Sequence, residues 1–338
     1  MEYGMSFAAS LDAVRQAQLA EKLGFSYIGF YDSPALGADV WITIANALQA
    51  THHIQVGTEV LVPHLRHPLA QAAAIATIEQ LAPGRLYVGI GTGFTGRMAM
   101  GQRPLRWSQL SQFINEARIL LSGDDAVIDG AVTRMLQPPG FGAPRPVRVP
   151  FLIAANGPMG IQIARDLGDG LIYGGPLAKA PSGFSVLQTA PGGFLLDEGE
   201  TASSARILNA AKPWFGLQYH FAYDGFFNGP SLVENLPYGA EWLKLLATYP
   251  AEARHLVVHD RHTVFVNELD AAFAERHPDA LADYVVREIC TPAQMKERVD
   301  AIAALGATRV QCRVLFADWE RDMKRWATAL EIQPISTP

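Results

Sequence analysis

Near-continuous apolar runs alternate with segments of helical periodicity through the first half of the chain. The runs at 3–7, 25–31, 54–62 and 85–90 have the length and the β-branched and aromatic content of buried strands. Between them, 11–23, 39–50 and 69–81 read as helices. In the first of these Leu11, Val14, Leu19 and Leu23 recur on one face, and Gly24 stands where a C-cap glycine closes a helix. A helix at 107–121, a strand at 151–155, a helix at 159–167 and a strand at 170–173 continue the order. Apolar strands alternating with helices are what a parallel sheet covered by helices requires.

From 176 to about 280 the pattern loosens into glycine, proline and aromatic residues. It predicts helices at 201–211, 213–222, 239–248 and 268–275 and no obvious seventh strand. Order returns at Thr291, an N-cap followed by Pro292 and, three residues on, Gln294. That helix runs to Leu305 and Gly306, a last strand covers 309–315, and a terminal helix covers 318–330. Seven clear strands and about eight helices, with no charge-rich or serine-rich linker, predict an α/β chain folded as one (β/α)8 TIM barrel over 1–338. The aromatic-rich insertion at about 176–280 falls late in that barrel. An open doubly wound sheet is the competing fold.

In a barrel of this kind chemistry sits at the carboxyl ends of the strands. The strand at 85–90 empties into Gly91-Thr92-Gly93-Phe94-Thr95-Gly96-Arg97, whose glycines let main-chain N–H groups approach an anionic ligand. A plain tight turn is the duller reading. Asn156 and Gly157, with Ala155 before them and Gly160 after, open the helix at 159–167; they either cap it or share one phosphate with the first loop. Asp32 ends the second strand, as a solvated carboxylate, a cofactor partner or a proton donor or acceptor. Glu59 is unusual in an apolar strand and is either solvent-facing or an acid in the pocket. His64 is a candidate substrate contact, whereas His67 reads as a packing or capping residue. The aromatics Trp214, Phe215, Tyr219, Phe221, Tyr223, Phe226, Phe227 and Trp242 suit core and lid packing, or a wall for an apolar substrate.

Composition narrows the classes. With 49% hydrophobic and 18% charged residues among 338, a large core is available. A formal net charge of −6 without a Lys/Arg cluster excludes nonspecific nucleic-acid binding. Cys290 and Cys312 have no metal-ligand spacing and read as reduced thiols; no histidine pair has zincin spacing, so no metal is expected. The start of the chain lacks the pattern of a signal peptide and no apolar run is long enough to cross a bilayer, which predicts a cytoplasmic protein without membrane attachment.

Several motifs, taken in order and spacing, carry a likeness. They are Arg66-His67-Pro68 with Ala72-Ala73-Ala74-Ile75-Ala76-Thr77, Gly84-Arg85, Gly89-Ile90-Gly91-Thr92-Gly93, Ala154-Ala155-Asn156-Gly157-Pro158 and Leu167-Gly168-Asp169-Gly170. Through them the chain resembles the bacterial luciferase-like superfamily of TIM-barrel oxidoreductases, closest to the methylenetetrahydromethanopterin reductase branch. The resemblance is strong over roughly the first half, moderate over 291–330 and weak between. It implies hydride transfer between coenzyme F420, or alternatively FMN, and a small or lipophilic organic substrate. The cofactor would contact Asp32, Thr58, Glu59, Val60, Thr92, Gly93, Arg97, Ala155, Asn156, Gly157 and Gly160. It also implies a nonprolyl cis peptide within 58–60, and a homodimer.

Luciferase carries an arginine in the place of Thr92, and F420 enzymes tend to have Gly-Thr-Gly there, as this chain does. Relatives have a histidine in the place of Ser33, and its absence speaks against luciferase-type peroxide chemistry and against the sugar-phosphate dehydrogenase reaction. An FMNH2- and O2-dependent monooxygenase fed by a flavin reductase is the alternative. A barrel hydrolase or aldolase acting on a phosphorylated substrate, with Asp32 and Glu59 as acid and base, is a second.

Overall fold

In the computed structural model, which describes residues 1–225 and 230–335, strands and helices alternate from the start. They are β1 (Glu2–Ala8), α1 (Ala13–Leu23), β2 (Tyr27–Tyr31), α2 (Val40–Gln49), β3 (Gln55–Leu61), α3 (Pro68–Leu81) and β4 (Leu86–Ile90). A short helix α4 (Phe94–Met98), α5 (Trp107–Ser122) and a small hairpin, β5 (Ala126–Ile128) with β6 (Ala131–Thr133), come next. The barrel resumes with β7 (Phe151–Ala154), α6 (Pro158–Leu167), β8 (Gly170–Tyr173) and β9 (Leu187–Thr189). After β10 (Phe194–Leu195) come α7 (Ala205–Tyr223), α8 (Gly239–Ala247), α9 (Arg254–His259), α10 (Glu268–Arg276) and α11 (Pro278–Glu288). The chain closes with β11 (Ile289–Cys290), α12 (Pro292–Ala304), β12 (Arg309–Cys312) and α13 (Trp319–Ala329).

Eight parallel strands close into a barrel in the order β1-β2-β3-β4-β7-β8-β9-β12, with β12 pairing back onto β1. The seventh barrel strand, absent from the sequence reading, is therefore β9. It is three residues long and lies inside the stretch read as insertion. Two of its three residues, Gln188 and Thr189, are polar and buried, which hides it from a hydrophobic pattern. The helices predicted at 201–211 and 213–222 are one, α7, running through Pro213. Local signals elsewhere hold. Gly24 caps α1 at φ 89°, and Thr291 and Gln294 close a capping box on α12.

Strand alternation splits the barrel into two packing systems. Outward residues such as Ile28, Val56, Val88, Ile153 and Val310 join the helices in the main core. Inward, Tyr27 and Tyr87 meet edge to face, with ring centroids 6.0 Å apart, over Leu152. The Arg309 guanidinium lies 4.9 and 5.3 Å from the two rings. Glycines create the room: a Cβ at Gly57 would lie 2.3 Å from the Tyr87 carbonyl oxygen, and one at Gly4 2.4 Å from that of Tyr27. A further core, with Phe215, Tyr219, Trp242 and Phe273, holds α7 to α11 together. Most of the aromatics predicted as lid packing join it, whereas Phe226 and Phe227 lie outside the described residues. Among the described residues no helix is long and apolar enough to cross a membrane.

Candidate active site

At the carboxyl end of β3 the strand bulges, its register against β4 shifting between Thr58 and Leu61. The Glu59–Val60 peptide there is cis, within the residues expected to hold one. The alternation that turns Gly57 inward also turns Glu59 inward, and β2 makes space with Gly29, whose Cβ would come within 1.8 Å of Glu59 Cγ. The Glu59 carboxylate accepts from Tyr87 Oη at 2.9 Å and from Gln188 Nε2 at 2.9 and 3.0 Å. Burial raises its pKa above the ordinary value, and the bonds from Gln188 and Tyr87 work against that rise. Of the two sequence readings, the acid in the pocket is the one observed.

Above Glu59 opens a cavity of about 230 Å³. Its walls come from the ends of β1 (Ala8, Ala9), β2 (Tyr31, Asp32, Ser33) and β3 (Glu59, Val60, Val62), from Gly93 to Gly96, and from the insertion at His262, Thr263 and Val264. Among the described residues lining it there is no lysine or arginine. Gly93 begins α4 at φ 83°, a conformation suited to glycine, and a Cβ at Gly96 would lie 2.8 Å from the Asp32 carbonyl oxygen. The loop after β4 thus curls over the cavity as a helical turn. Phe94 on that turn meets Phe221 and His259 of the insertion, at centroid distances of 5.6 and 6.5 Å.

Asp32 lines this cavity with its carboxylate already engaged. It accepts from Val62 N at 3.1 Å and from Arg66 Nη1 at 3.0 and 3.2 Å, while Arg66 Nη2 reaches Asp39, the N-cap of α2, at 2.7 Å. Burial raises the Asp32 pKa, with Arg66 as the main opposing influence. This geometry makes Asp32 a brace joining the ends of β2 and β3 rather than a free acid or base.

The other sequence candidates divide. Val60 and Gly93 line the cavity with Asp32 and Glu59. His64, at φ 68°, is exposed and belongs to a separate groove with Gln109, Phe113 and Glu116, because the chain turns outward after Pro63. A substrate contact in the barrel mouth is thereby corrected. His67 caps α3, its Nδ1 accepting from Leu69 N at 3.1 Å. Thr58 points outward and is fully buried, its hydroxyl donating to the Gly89 carbonyl at 2.7 Å, so it is a sheet-packing residue and not a cofactor contact. Thr58→Val is expected to cost about 1–2 kcal/mol for the lost buried hydrogen bond. It should leave cofactor affinity unchanged, as read by urea midpoint and binding titration.

Thr92 and Arg97 lie outside the cavity. The Thr92 carbonyl accepts from Leu105 N at 2.8 Å, and Arg97 Nε donates to the Arg103 carbonyl at 2.7 Å. Ala155 is buried with its N–H on the Ile172 carbonyl, and Gly160 is small because a Cβ there would lie 2.4 Å from the Trp107 ring. Both serve packing. Asn156 does not cap α6; its Oδ1 accepts from Gly174 N at 2.8 Å. Gly157 is the N-cap, exposed, without a side-chain capping bond, and a Cβ on it would touch nothing within 4 Å. The loops at 91–97 and 155–160 follow neighbouring strands, since Ile90 pairs with Ile153.

A model of the luciferase-like monooxygenase family matches residues 6–183, more than half of the chain. The chain belongs to the luciferase-like monooxygenase family. It is 32% identical over 183 residues, 48% of this chain and 52% of the relative, to the F420-dependent glucose-6-phosphate dehydrogenase of Beutenbergia cavernae. It is 28% identical over 197 residues, 55% of this chain and 57% of the relative, to the 5,10-methylenetetrahydromethanopterin reductase of Methanolobus tindarius. The chain thus spans little more than half the length of these curated relatives.

Among solved structures, the coenzyme F420 dependent tetrahydromethanopterin reductase from Methanopyrus kandleri superposes with a TM-score of 0.62 at 14% identity, over 98% of both chains. An F420-dependent secondary alcohol dehydrogenase in complex with an F420-acetone adduct gives 0.64 at 18% identity, over 98% of this chain and 100% of that one. At these identities the likeness is one of fold alone.

The sequence reading missed the residues that the insertion brings to the cavity, His262 foremost. No motif surrounds it.

Proposed function

We propose that this luciferase-like protein is an F420-dependent oxidoreductase acting on a neutral alcohol or carbonyl compound. The observation that carries the reading is the cavity itself: a mainly apolar chamber over the Glu59–Val60 bulge, roofed by the Gly93 turn, with no lysine or arginine among the described residues of its lining. A phosphorylated or carboxylated substrate would face Asp32 and Glu59 there without a countercharge. That same absence weighs against a hydrolase or aldolase of phosphorylated substrates. The F420-dependent relatives support the choice of cofactor, as does threonine at position 92.

The residues present suit such a cofactor. Its phosphate-bearing tail would find the uncapped start of α6 at Gly157, where the open space beside the glycine leaves the backbone approachable. Its ring would rest near Val60 and Gly93, at the cavity wall. When bound, F420 supplies a two-electron hydride donor or acceptor at its deaza carbon. The chain's own part is to hold the ring, to keep the chamber apolar and to manage the substrate's proton.

Fluorescence titration with F420 and with FMN, each oxidised and reduced, tests the proposal. Binding of F420 with FMN indifferent supports it. Preference for FMN would replace it with an oxygen-using monooxygenase dependent on a reductase partner, and binding of neither would remove both. Gly157→Ala adds a local check. The position has ordinary backbone angles and open space, so stability should change by no more than about 0.5 kcal/mol. Affinity for F420 should fall, because the new methyl occupies the approach to the α6 amides. An unchanged affinity would move the phosphate site elsewhere.

A further inference from the structure

Besides Tyr31, whose hydroxyl donates to the Ser6 carbonyl at 3.3 Å, three titratable side chains line the cavity, and two of them are occupied. Asp32 is held by Arg66 and Val62 N, and Glu59 by Tyr87 and Gln188. The third, His262, comes from the segment between α9 and α10 and is 3% exposed. Its Nδ1 lies 3.1 Å from His220 Nδ1, and among the described residues its Nε2 has no hydrogen-bond partner. His220 Nε2 lies 2.7 Å from Asp270 Oδ2, and Trp242 Nε1 donates to Asp270 Oδ1 at 3.0 Å. The Asp270 N–H in turn donates to Asn267 Oδ1 at 2.7 Å.

This row is built rather than incidental. Gly216 on α7 leaves space for the carboxylate, since a Cβ there would lie 2.3 Å from Asp270 Oδ2. On either side of His262, Arg261 and Thr263 hold left-handed backbone angles, φ 53° and 63°, which side-chain-bearing residues seldom adopt without a reason. Among the described residues no group of three or more His, Cys, Asp and Glu side chains is arranged to hold a metal ion.

The tautomers follow from the carboxylate. With Asp270 ionised and both rings neutral, His220 donates from Nε2 to Asp270 and presents a lone pair at Nδ1. His262 then donates from Nδ1 to His220, which leaves a lone pair on Nε2. Resting on the oxidoreductase reading above, the geometry points to His262 as the catalytic residue that exchanges the substrate's hydroxyl proton, with His220 and Asp270 as its positioning residues.

In the oxidation direction the substrate O–H bond breaks with its proton going to His262 Nε2. The C=O bond forms as the C–H bond breaks, its electron pair leaving as hydride to the oxidised deazaflavin. The substrate loses two electrons and two hydrogens, and the imidazolium formed is stabilised through His220 by Asp270. Reduction of a carbonyl runs the same steps backward.

The groups facing the His262 ring are His220 from α7, His259 from α9 and, beyond them, Asp270 and Asp224; His259 Nε2 stands 3.0 Å from Asp224 Oδ2. Across the cavity stand Tyr31, Asp32 and Glu59. Burial, and after it the His220 and His259 rings, hold the His262 pKa well below the ordinary histidine value, with the Val258 carbonyl opposing weakly. The ring is therefore neutral, and a base, at neutral pH.

Protein labelled with 15N-histidine, without cofactor, tests the tautomers directly. In wild type the His262 Nε2 resonance should be that of a lone-pair nitrogen, persisting to a pH below the ordinary histidine range. In Asp270→Asn it should shift toward the protonated form. A His262 Nε2 that carries a proton in wild type, or that ignores Asp270→Asn, overturns the proposal. In turnover with F420 and secondary alcohols from 2-propanol to cyclohexanol, His262→Gln should lower kcat by roughly 100-fold or more while F420 affinity stays unchanged. A smaller loss of kcat in a folded, F420-binding variant also overturns it. Failure of F420 to bind wild-type protein, with the expected tautomers in place, would instead overturn the cofactor reading alone.

Discussion

Replacing Arg66 by methionine is expected to destabilise the protein by about 3–5 kcal/mol at neutral pH and to return part of that loss in acid. The Arg66 guanidinium donates to both oxygens of Asp32, whose side chain is 1% exposed, and also to Asp39. Methionine fills the volume of the stem but leaves the Asp32 carboxylate buried with only the Val62 N–H as partner. In the wild type, burial already outweighs Arg66 and holds the Asp32 pKa above its unfolded value. Between the two pKa values the native state binds more protons than the unfolded chain, so this group's contribution to stability grows as pH falls through the folded pKa.

Loss of Arg66 raises the folded pKa further and widens that window. The urea midpoint of Arg66→Met should thus fall steeply at pH 7 and less at pH 5. Adding Asp32→Asn should restore much of the difference, because it removes the stranded charge. A loss below about 1 kcal/mol, or an equal loss at both pH values, would mean that the Asp32–Arg66 pair is not the brace between β2 and β3 that its contacts describe.

Gly57→Ala should cost about 3 kcal/mol, the upper part of the range for overfilling a packed interior. The added Cβ would lie 2.3 Å from the Tyr87 carbonyl oxygen and 2.6 Å from atoms of the Tyr87 ring. A carbonyl in a barrel strand has little room to retreat, and the ring is confined by Tyr27 and Arg309. Gly199→Ala is the matched control. Gly199 sits at φ 79° with nothing within 4 Å of the place a methyl would take, so alanine there carries only the left-handed backbone cost of about 1–2 kcal/mol. Urea midpoints that place Gly57→Ala no lower than Gly199→Ala would remove the packing argument for the inward glycines. Tyr87 also donates to Glu59, so a displaced ring should in addition loosen the Glu59 carboxylate at the cavity.

What could be read from the chain depended on how local the cause was. Apolar runs and helical periodicity of the first half, the Gly24 cap and the Thr291–Gln294 box depend on neighbours within a few residues and appear in the structure close to where the pattern puts them, whereas α9 and α11 fall in the stretch where the pattern loosens and are not predicted. The barrel and the family follow from the order of such elements and motifs. Glu59 was legible as an anomaly, a charge in an apolar strand, but its direction was not. Facing inward depends on the register of β3 and on space left by Gly29, a residue 30 positions earlier on another strand.

The resemblance implies cofactor contacts at Thr58, Ala155 and Gly160, near strand ends, whereas the pleat or the Trp107 ring gives them packing roles. Strand β9 escaped because it is short and its buried side chains are polar. His262 escaped for the same kind of reason: its partners His220 and Asp270 are 42 and 8 positions away, and nothing in the intervening residues signals that they meet. The sequence by itself determined most of the elements of the first half, the barrel and the family, because hydrophobic period and capping act over a few bonds. Which polar side chains face one chamber, and which of those are already hydrogen-bonded, only the tertiary structure decided, because register, burial and hydrogen-bond partners are properties of segments far apart in the chain.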